Sequence, residues 1–121
     1  MLNLNSLLVF SENPKLLADF YAKVFELKPE MEEDDYIGFL VGNTFVTFGK
    51  HDQVKGKNQN PERIMLNFET SDVKGEFERL KSLDAKVITE PYTMGDDDYW
   101  IATLADPDGN YFQLVSPWKD R

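Results

Sequence analysis

Two long segments of this 121-residue chain resemble each other and occupy corresponding places in its two halves. The segment MEEDDYIGFLVGNTFVTF in the first half aligns with MGDDDYWIATLADPDGNYFQLV in the second, if ADPD is treated as an insertion before the second Gly-Asn. An internal repeat of this length favours a fold built from two similar units. The alternative, two unrelated acidic loops that each lead into an aromatic strand, stays open at this point.

The first half predicts a strand, a helix and then further strands. SLLVF, residues 6–10, is a short apolar run and predicts a strand. Asn13 and Pro14 are typical of a helix start, and the apolar residues that follow keep helical spacing to about Leu27, where Pro29 is expected to end the helix. YIGFLV and TFVTFG predict two strands joined at Gly42-Asn43.

The second half repeats this order after a polar segment, residues 51–63, that predicts a connecting loop. IMLNFET predicts a strand, Ser71 or Asp72 a helix cap, and VKGEFERLKSL a helix with one apolar face. KVITEP, YWIATL and YFQLVSP predict three more strands. We therefore expect one domain over residues 1–121, with a first module at about 1–50, a linker at about 51–63 and a second module at about 64–121.

The composition excludes several classes of function. A formal net charge of −9 argues against nucleic acid and against membrane surfaces as partners, because both are anionic. The same charge would attract a cationic ligand, although it also serves solubility alone. The chain has no cysteine and its N-terminus does not resemble a secretory signal, so we expect a cytoplasmic protein.

The order βαβββ repeated twice, together with LLVFSENPKLLADFYAKVFELKP, LNFETSDVKGEFERLKSLDAKV and LADPDGNYFQLVSP, resembles the glyoxalase, bleomycin-resistance and extradiol-dioxygenase superfamily, whose members are also called vicinal oxygen chelate proteins. The resemblance covers almost the whole chain. It implies an α+β fold in which two tandem βαβββ modules form a curved half-open barrel around one cavity. It also implies that a dimer partner borders this cavity, so we expect a homodimer.

Enzymes of that superfamily usually hold a divalent metal with His, Glu or Gln side chains from facing strands. The resemblance places the four corresponding positions at Ser6, Thr47, Met65 and Gln113, of which only Gln113 is a plausible ligand. The single histidine, His51, lies in or beside the polar loop and is interpreted as a solvated side chain. We therefore predict no metal, no other cofactor and no catalytic residue.

Without a metal, the resemblance implies a binding protein of the bleomycin-resistance type, which sequesters an antibiotic rather than converting it. Such ligands combine positive charge with flat aromatic parts, and MEEDDY and MGDDDYW combine carboxylates with rings. Two alternatives stay open: a glyoxalase-type lyase or isomerase with a degenerate metal site at Gln113, and an association domain whose cavity is filled by its own side chains.

Strand alternation gives the candidate ligand-binding residues, since side chains two positions apart share a face. We expect Trp100 rather than Tyr99 to point into the cavity, and Trp118 to cover it. The alternative for each aromatic residue is packing in the core or in a dimer. The candidates are Ser6, Phe10, Thr47, Met65, Asn67, Asp97, Trp100, Tyr111, Gln113 and Trp118.

Overall fold

The computed structural model describes residues 1–83, 85–95 and 98–118. The chain divides into two compact units, Met1–Gly56 and Lys57–Arg121, which are called the first and the second module below. Each module holds four strands and one helix. This arrangement confirms the predicted α+β class and the two tandem βαβββ modules.

The first module contains a four-stranded mixed sheet covered by one helix. Its elements are β1 (Ser6–Ser11), α1 (Pro14–Phe25), β2 (Met31–Glu33), β3 (Tyr36–Val41) and β4 (Thr44–Lys50). The strand order is β1-β4-β3-β2, with β1 parallel to β4 and the other pairs antiparallel. Gly42 joins β3 to β4 with φ of 60°, which suits a two-residue hairpin whose first central residue is glycine.

The second module repeats this topology. Its elements are β5 (Leu66–Glu69), α2 (Val73–Ser82), β6 (Lys86–Thr93), β7 (Trp100–Ala105) and β8 (Tyr111–Val115). The strand order is β5-β8-β7-β6, with β5 parallel to β8 and the other pairs antiparallel. Each helix therefore connects a first strand to the three strands that follow it, as the repeat in the sequence predicts.

Two details of the first module differ from the sequence prediction. The acidic segment before β3 contains a strand, β2, which the order βαβββ implies but no residue pattern located, because its three residues MEE carry no apolar alternation. Helix α1 ends at Phe25, before the expected end at about Leu27, because Glu26 takes a left-handed conformation with φ of 56°. The left-handed conformation of Glu26, and not Pro29, therefore ends the helix.

The helix starts agree with the predicted caps. The Asn13 side chain accepts a hydrogen bond from the backbone N–H of Leu16 at 3.3 Å, with Pro14 as the first helical residue. The Asp72 side chain accepts one from the N–H of Gly75 at 3.0 Å, so Asp72 rather than Ser71 is the cap of α2. Each cap satisfies a backbone donor that has no partner within its helix.

Each helix packs on one face of its own sheet. In the first module, Tyr21 of α1 stacks on Phe48 of β4 with ring centroids 5.0 Å apart, and Phe48 contacts Phe39 edge to face at 6.0 Å. In the second module, Phe77 and Leu80 of α2 are buried. Four side chains on the side of β7 and β8 that faces α2 are also buried, namely those of Ala102, Leu104, Phe112 and Leu114.

A buried carboxylate holds the turn between β7 and β8. Asp106 is 6% exposed, and its Oδ1 accepts hydrogen bonds from the backbone N–H groups of Asp108 at 2.9 Å and Asn110 at 3.0 Å. The Asn110 side-chain amide donates to Asp106 Oδ2 at 3.0 Å. Gly109 completes the turn with φ of 79°, a conformation that favours glycine.

Within the ranges that the structure describes, neither helix is long and apolar enough to cross a bilayer.

We predict that Asp106→Ala lowers the free energy of unfolding by about 3 kcal/mol, because several donors to a buried carboxylate lose their acceptor together. Chemical denaturation measures the change. Asp108→Ala is the matched control, since it shortens another aspartate of the same turn but keeps the backbone N–H that donates to Asp106. Equal losses in both variants would contradict this role for the Asp106 carboxylate.

Candidate ligand-binding surfaces

One face of the first sheet carries no helix, and its side chains follow from the strand register. Ser6, Leu8 and Phe10 of β1 lie opposite Phe45, Thr47 and Gly49 of β4. The residues of β3 on the same face are Tyr36, Gly38 and Leu40. This surface is called the first helix-free face below, and it contains the predicted candidates Ser6, Phe10 and Thr47.

Two glycines let aromatic rings pack closely against this face. A Cβ atom added to Gly38 would lie 2.5 Å from Cε2 of Phe45, and one added to Gly49 would lie 2.6 Å from Cε1 of Tyr36. Both rings therefore lie directly over backbone that has no side chain of its own. Any larger residue at either position would lift the ring away from the sheet.

The first helix-free face is also unusually apolar for a surface. Leu8 is 63% exposed, Leu40 is 49% exposed, and Tyr36 is also exposed. Phe10 and Phe45 are half-buried, and Thr47 is buried. The face thus offers flat rings and aliphatic side chains to a ligand, with few polar groups to orient it.

The helix-free face of the second sheet is more polar. Asn67 of β5 lies opposite Gln113 of β8, which lies opposite Thr103 of β7. The Gln113 side-chain amide donates a hydrogen bond to Thr103 Oγ1 at 2.9 Å. Tyr111 shares this face two residues before Gln113, and Met65 immediately precedes β5. The second module therefore presents amide and hydroxyl groups where the first presents rings.

The residues at the family's ligand positions do not fit a divalent metal. Ser6 donates its hydroxyl hydrogen to Asn5 Oδ1 at 2.8 Å, Thr47 has only a hydroxyl, and Met65 has only a thioether. Gln113 supplies one amide oxygen, whereas such ions select imidazole or carboxylate ligands. Among residues 1–83, 85–95 and 98–118, no three His, Cys, Asp or Glu side chains are grouped so that they could hold a metal.

The only histidine of the chain lies next to the first helix-free face. The His51 ring contacts Phe10 edge to face, with centroids 5.3 Å apart, and its Nδ1 accepts the backbone N–H of Gln53 at 3.1 Å. The side chain remains half-exposed. The hydrogen bond and the ring contact hold the His51 side chain beside Phe10.

Trp100 does not point where we predicted. Its side chain lies on the same side of β7 as Ala102 and Leu104, which α2 covers, and Lys74 of α2 places its Nζ 3.9 Å from the Trp100 ring centroid. The prediction that Trp100 faces into the cavity is therefore wrong about its orientation. Strand β7 is apolar on both faces, so alternation could not decide between them.

Trp100 instead lines a cleft at the start of α2 together with Trp118. The cleft has a volume of about 490 Å³. Trp118 donates its indole N–H to the Tyr99 hydroxyl at 3.1 Å and is 61% exposed. The lining residues are Ser71, Asp72, Val73, Lys74, Asp98, Trp100, Ser116, Pro117 and Trp118.

Some functional candidates were missed and one cannot be placed. Strand alternation in YIGFLV would have found Tyr36 and Leu40, whereas no sequence pattern links Lys74 to Trp100. Asp97, which we expected at the rim of the site, lies outside the described residues. Its neighbour Asp98 lines the cleft beside Trp100 and Trp118, on the helix side of the second sheet.

Comparisons with known proteins agree with this architecture. The sequence profile of the glyoxalase/bleomycin resistance protein/dioxygenase superfamily matches residues 3–114. No protein with a curated description matches the chain.

Solved structures of low sequence identity share the fold. A glyoxalase/bleomycin resistance protein/dioxygenase family enzyme from Burkholderia phytofirmans PsJN is 19% identical, with a TM-score of 0.78 over 95% of this chain and 98% of that chain. The fosfomycin resistance protein FosX from Listeria monocytogenes is 16% identical, with a TM-score of 0.70 over 98% and 93%. TioX from Micromonospora sp. ML1 is 13% identical, with a TM-score of 0.70 over 93% and 96%.

We predict that millimolar Zn²⁺, Ni²⁺ or Mn²⁺ leaves the unfolding temperature unchanged. An ion that binds only the folded state must raise its stability, and the four family positions do not supply the ligands for this. Thermal unfolding and elemental analysis after dialysis measure the outcome. A stabilised protein that retains one metal per chain would contradict the prediction, and loss of that effect in Gln113→Ala would place the metal at Gln113.

Proposed function

Since the chain belongs to the glyoxalase/bleomycin resistance protein/dioxygenase superfamily, we propose that it binds a cationic molecule with flat aromatic parts and does not convert it chemically. The proposal rests on the composition of the first helix-free face. The rings of Phe45 and Tyr36 pack closely over Gly38 and Gly49, and Leu8 and Leu40 are exposed on the same face. Rings and aliphatic side chains exposed in this way bind planar ligands by stacking and by removing apolar area from water.

The exposure of large apolar side chains on this face supports binding rather than core packing. Leu8 of the edge strand β1 is 63% exposed, and Leu40 of the interior strand β3 is 49% exposed. A contiguous exposed apolar surface is often a site of interaction. The ligand would therefore bury Leu8, Leu40 and the ring edges of Tyr36 and Phe45.

The charge of the protein supports a cationic ligand. With a net charge of −9, the protein attracts cations over a distance of about one Debye length, roughly 8 Å at physiological ionic strength. In this proposal the charge increases the rate of encounter, while the rings hold the bound ligand. The two contributions are separable, because only the first depends strongly on salt.

A glycopeptide antibiotic of the bleomycin type combines these features, so we propose antibiotic sequestration as the biological role. The alternative, a metal-dependent lyase or isomerase of the glyoxalase type, needs ligands that Ser6, Thr47, Met65 and Gln113 do not supply together. Assembly as a homodimer, a cytoplasmic location and the absence of nucleic acid and membrane partners stay predictions.

The ligand-binding roles of individual side chains belong to the same proposal. On the first helix-free face, Phe10 offers its half-buried ring and Ser6 its exposed hydroxyl group, while the buried Thr47 supports the surface that the ligand contacts. On the polar face of the second sheet, Asn67, Tyr111 and Gln113 offer hydrogen bonds to polar groups of a ligand.

We predict that Leu40→Ala weakens the binding of metal-free bleomycin about fivefold, because it removes apolar contact area worth about 1 kcal/mol. Isothermal titration calorimetry measures the affinity, and mass spectrometry of the recovered drug tests for conversion. Leu16→Ala is the matched control, since Leu16 is also 49% exposed but lies on α1. We expect Leu16→Ala to bind the drug as tightly as the unaltered protein.

Three results would contradict the proposal. Unaltered protein that binds no bleomycin at millimolar concentration would remove this class of ligand. Equal weakening by Leu40→Ala and Leu16→Ala would show that the first helix-free face is not the site. A chemically altered drug after incubation would show an enzyme instead of a binding protein.

A further inference from the structure

The cleft at the start of α2 lies on the opposite side of the second sheet from the polar helix-free face. Trp100 and Trp118, the only tryptophans of the chain, both line it, and the Tyr99 hydroxyl accepts the Trp118 indole N–H. Its volume of about 490 Å³ suits a small molecule. Because it is formed by α2, β7 and the segment after β8, it is separate from the surfaces discussed above.

One ring of this cleft already holds an alkylammonium group. The Nζ of Lys74 lies 3.9 Å from the Trp100 ring centroid, within the distance at which a cation is attracted to the face of an indole. Lys74 belongs to the first turn of α2, where the helix dipole disfavours a positive charge. The cation–π contact with Trp100 offsets the unfavourable interaction between Lys74 and the helix dipole. The Trp100 ring is therefore positioned to bind a cation.

Carboxylates supply the rest of the electrostatics. Asp72 and Asp98 both line the cleft, so its described acidic residues outnumber its one lysine. Asp72 also caps α2, so the helix N-terminus already has an anion beside it. Both carboxylates would repel an anionic ligand, whereas they would attract a cationic ligand.

From the rings, the carboxylates and the lysine we infer that this cleft binds an organic ammonium ion, of the quaternary or methylated alkylammonium class. The ligand ammonium replaces Lys74 on the Trp100 ring and contacts Trp118, and Lys74 moves into solvent. No bond is formed or broken. The inference does not depend on the proposed function, because it uses none of the residues of the helix-free faces.

The role of Lys74 separates this inference from its main alternative. If the cleft bound an anion, Lys74 would be the group that holds it, and its removal would abolish binding. If the cleft binds an ammonium ion, Lys74 competes with the ligand for the same ring. Its removal then frees the ring and deletes a repulsive charge, so binding becomes tighter.

The experiment titrates ¹⁵N-labelled protein with choline and follows the two indole N–H signals by NMR. The neutral molecule 3,3-dimethyl-1-butanol, which has the same shape without the charge, is the ligand control. We expect both indole signals to shift saturably at millimolar choline and not with the alcohol. We expect Lys74→Gln to bind choline about two- to fivefold more tightly, because one competing cation–π contact is removed.

Lys81→Gln is the matched protein control. It makes the same change of charge on the same helix, but Lys81 lies over the Phe77 ring at 6.0 Å and does not line the cleft. Choline affinity should be unchanged in Lys81→Gln. Asp98→Asn, a change at an exposed residue, should weaken choline binding and provides a second test.

Several outcomes would overturn the inference. These are indole signals that do not move with choline, equal shifts with the neutral alcohol, and weaker choline binding in Lys74→Gln than in Lys81→Gln. Binding of benzoate that is lost in Lys74→Gln would establish an anion site instead. Failure of bleomycin to bind would contradict only the proposed function, because choline binding at the cleft is measured separately.

Discussion

In the part of the chain that the structure describes, one helix packs on each four-stranded sheet, so a helix covers only one of the two faces of that sheet. Side chains alternate between the faces of a strand, and every strand that supplies the buried face must also present side chains on the other. In the first module the covered face holds Phe39, Phe48 and the Tyr21 ring from α1. The opposite face is fixed by the same register, and its composition decides what the module can bind.

The two modules use their helix-free faces differently. The first packs rings closely against the sheet because Gly38 and Gly49 leave room for them, which produces a largely apolar surface. The second connects Gln113 to Thr103 by a hydrogen bond and offers amide and hydroxyl groups. The two faces include the exposed carboxylates of Glu33, opposite Tyr36, and Glu69, opposite Val115. Within the described ranges, however, no three His, Cys, Asp or Glu side chains are grouped so that they could hold the divalent ion of a metal-dependent enzyme.

The sequence predicted the order of the elements because both halves carry the same local signals. Caps at Asn13 and Asp72 and the Gly42-Asn43 turn are short-range features, and the structure contains all of them. The order βαβββ implied strand β2, but the residues did not locate it, since its stability comes from pairing with β3 rather than from its own acidic residues. Local propensity carries no information about such a partner.

The site was predicted less completely than the fold, for physical reasons that differ between residues. Alternation grouped Ser6 with Phe10 and Thr47 with Phe45, and the register of β1 on β4 puts both pairs on one face, because side chains two positions apart share a face. It could not place Trp100, because WIATLA is apolar on both faces. The rings over Gly38 and Gly49 depend on cross-strand neighbours, and the contact of Lys74 with Trp100 depends on helix packing.

Binding of a flat ligand at the first helix-free face, without conversion, requires contact with the exposed leucines and rings of that face. Chemical-shift mapping of the leucine methyl and aromatic ring signals during titration with metal-free bleomycin detects this contact. We predict that the signals of Leu8, Leu40, Tyr36 and Phe45 shift together while those of Leu16 and Leu17 on α1 stay in place and the drug remains intact. Shifts centred on α1, or a converted drug, would contradict it.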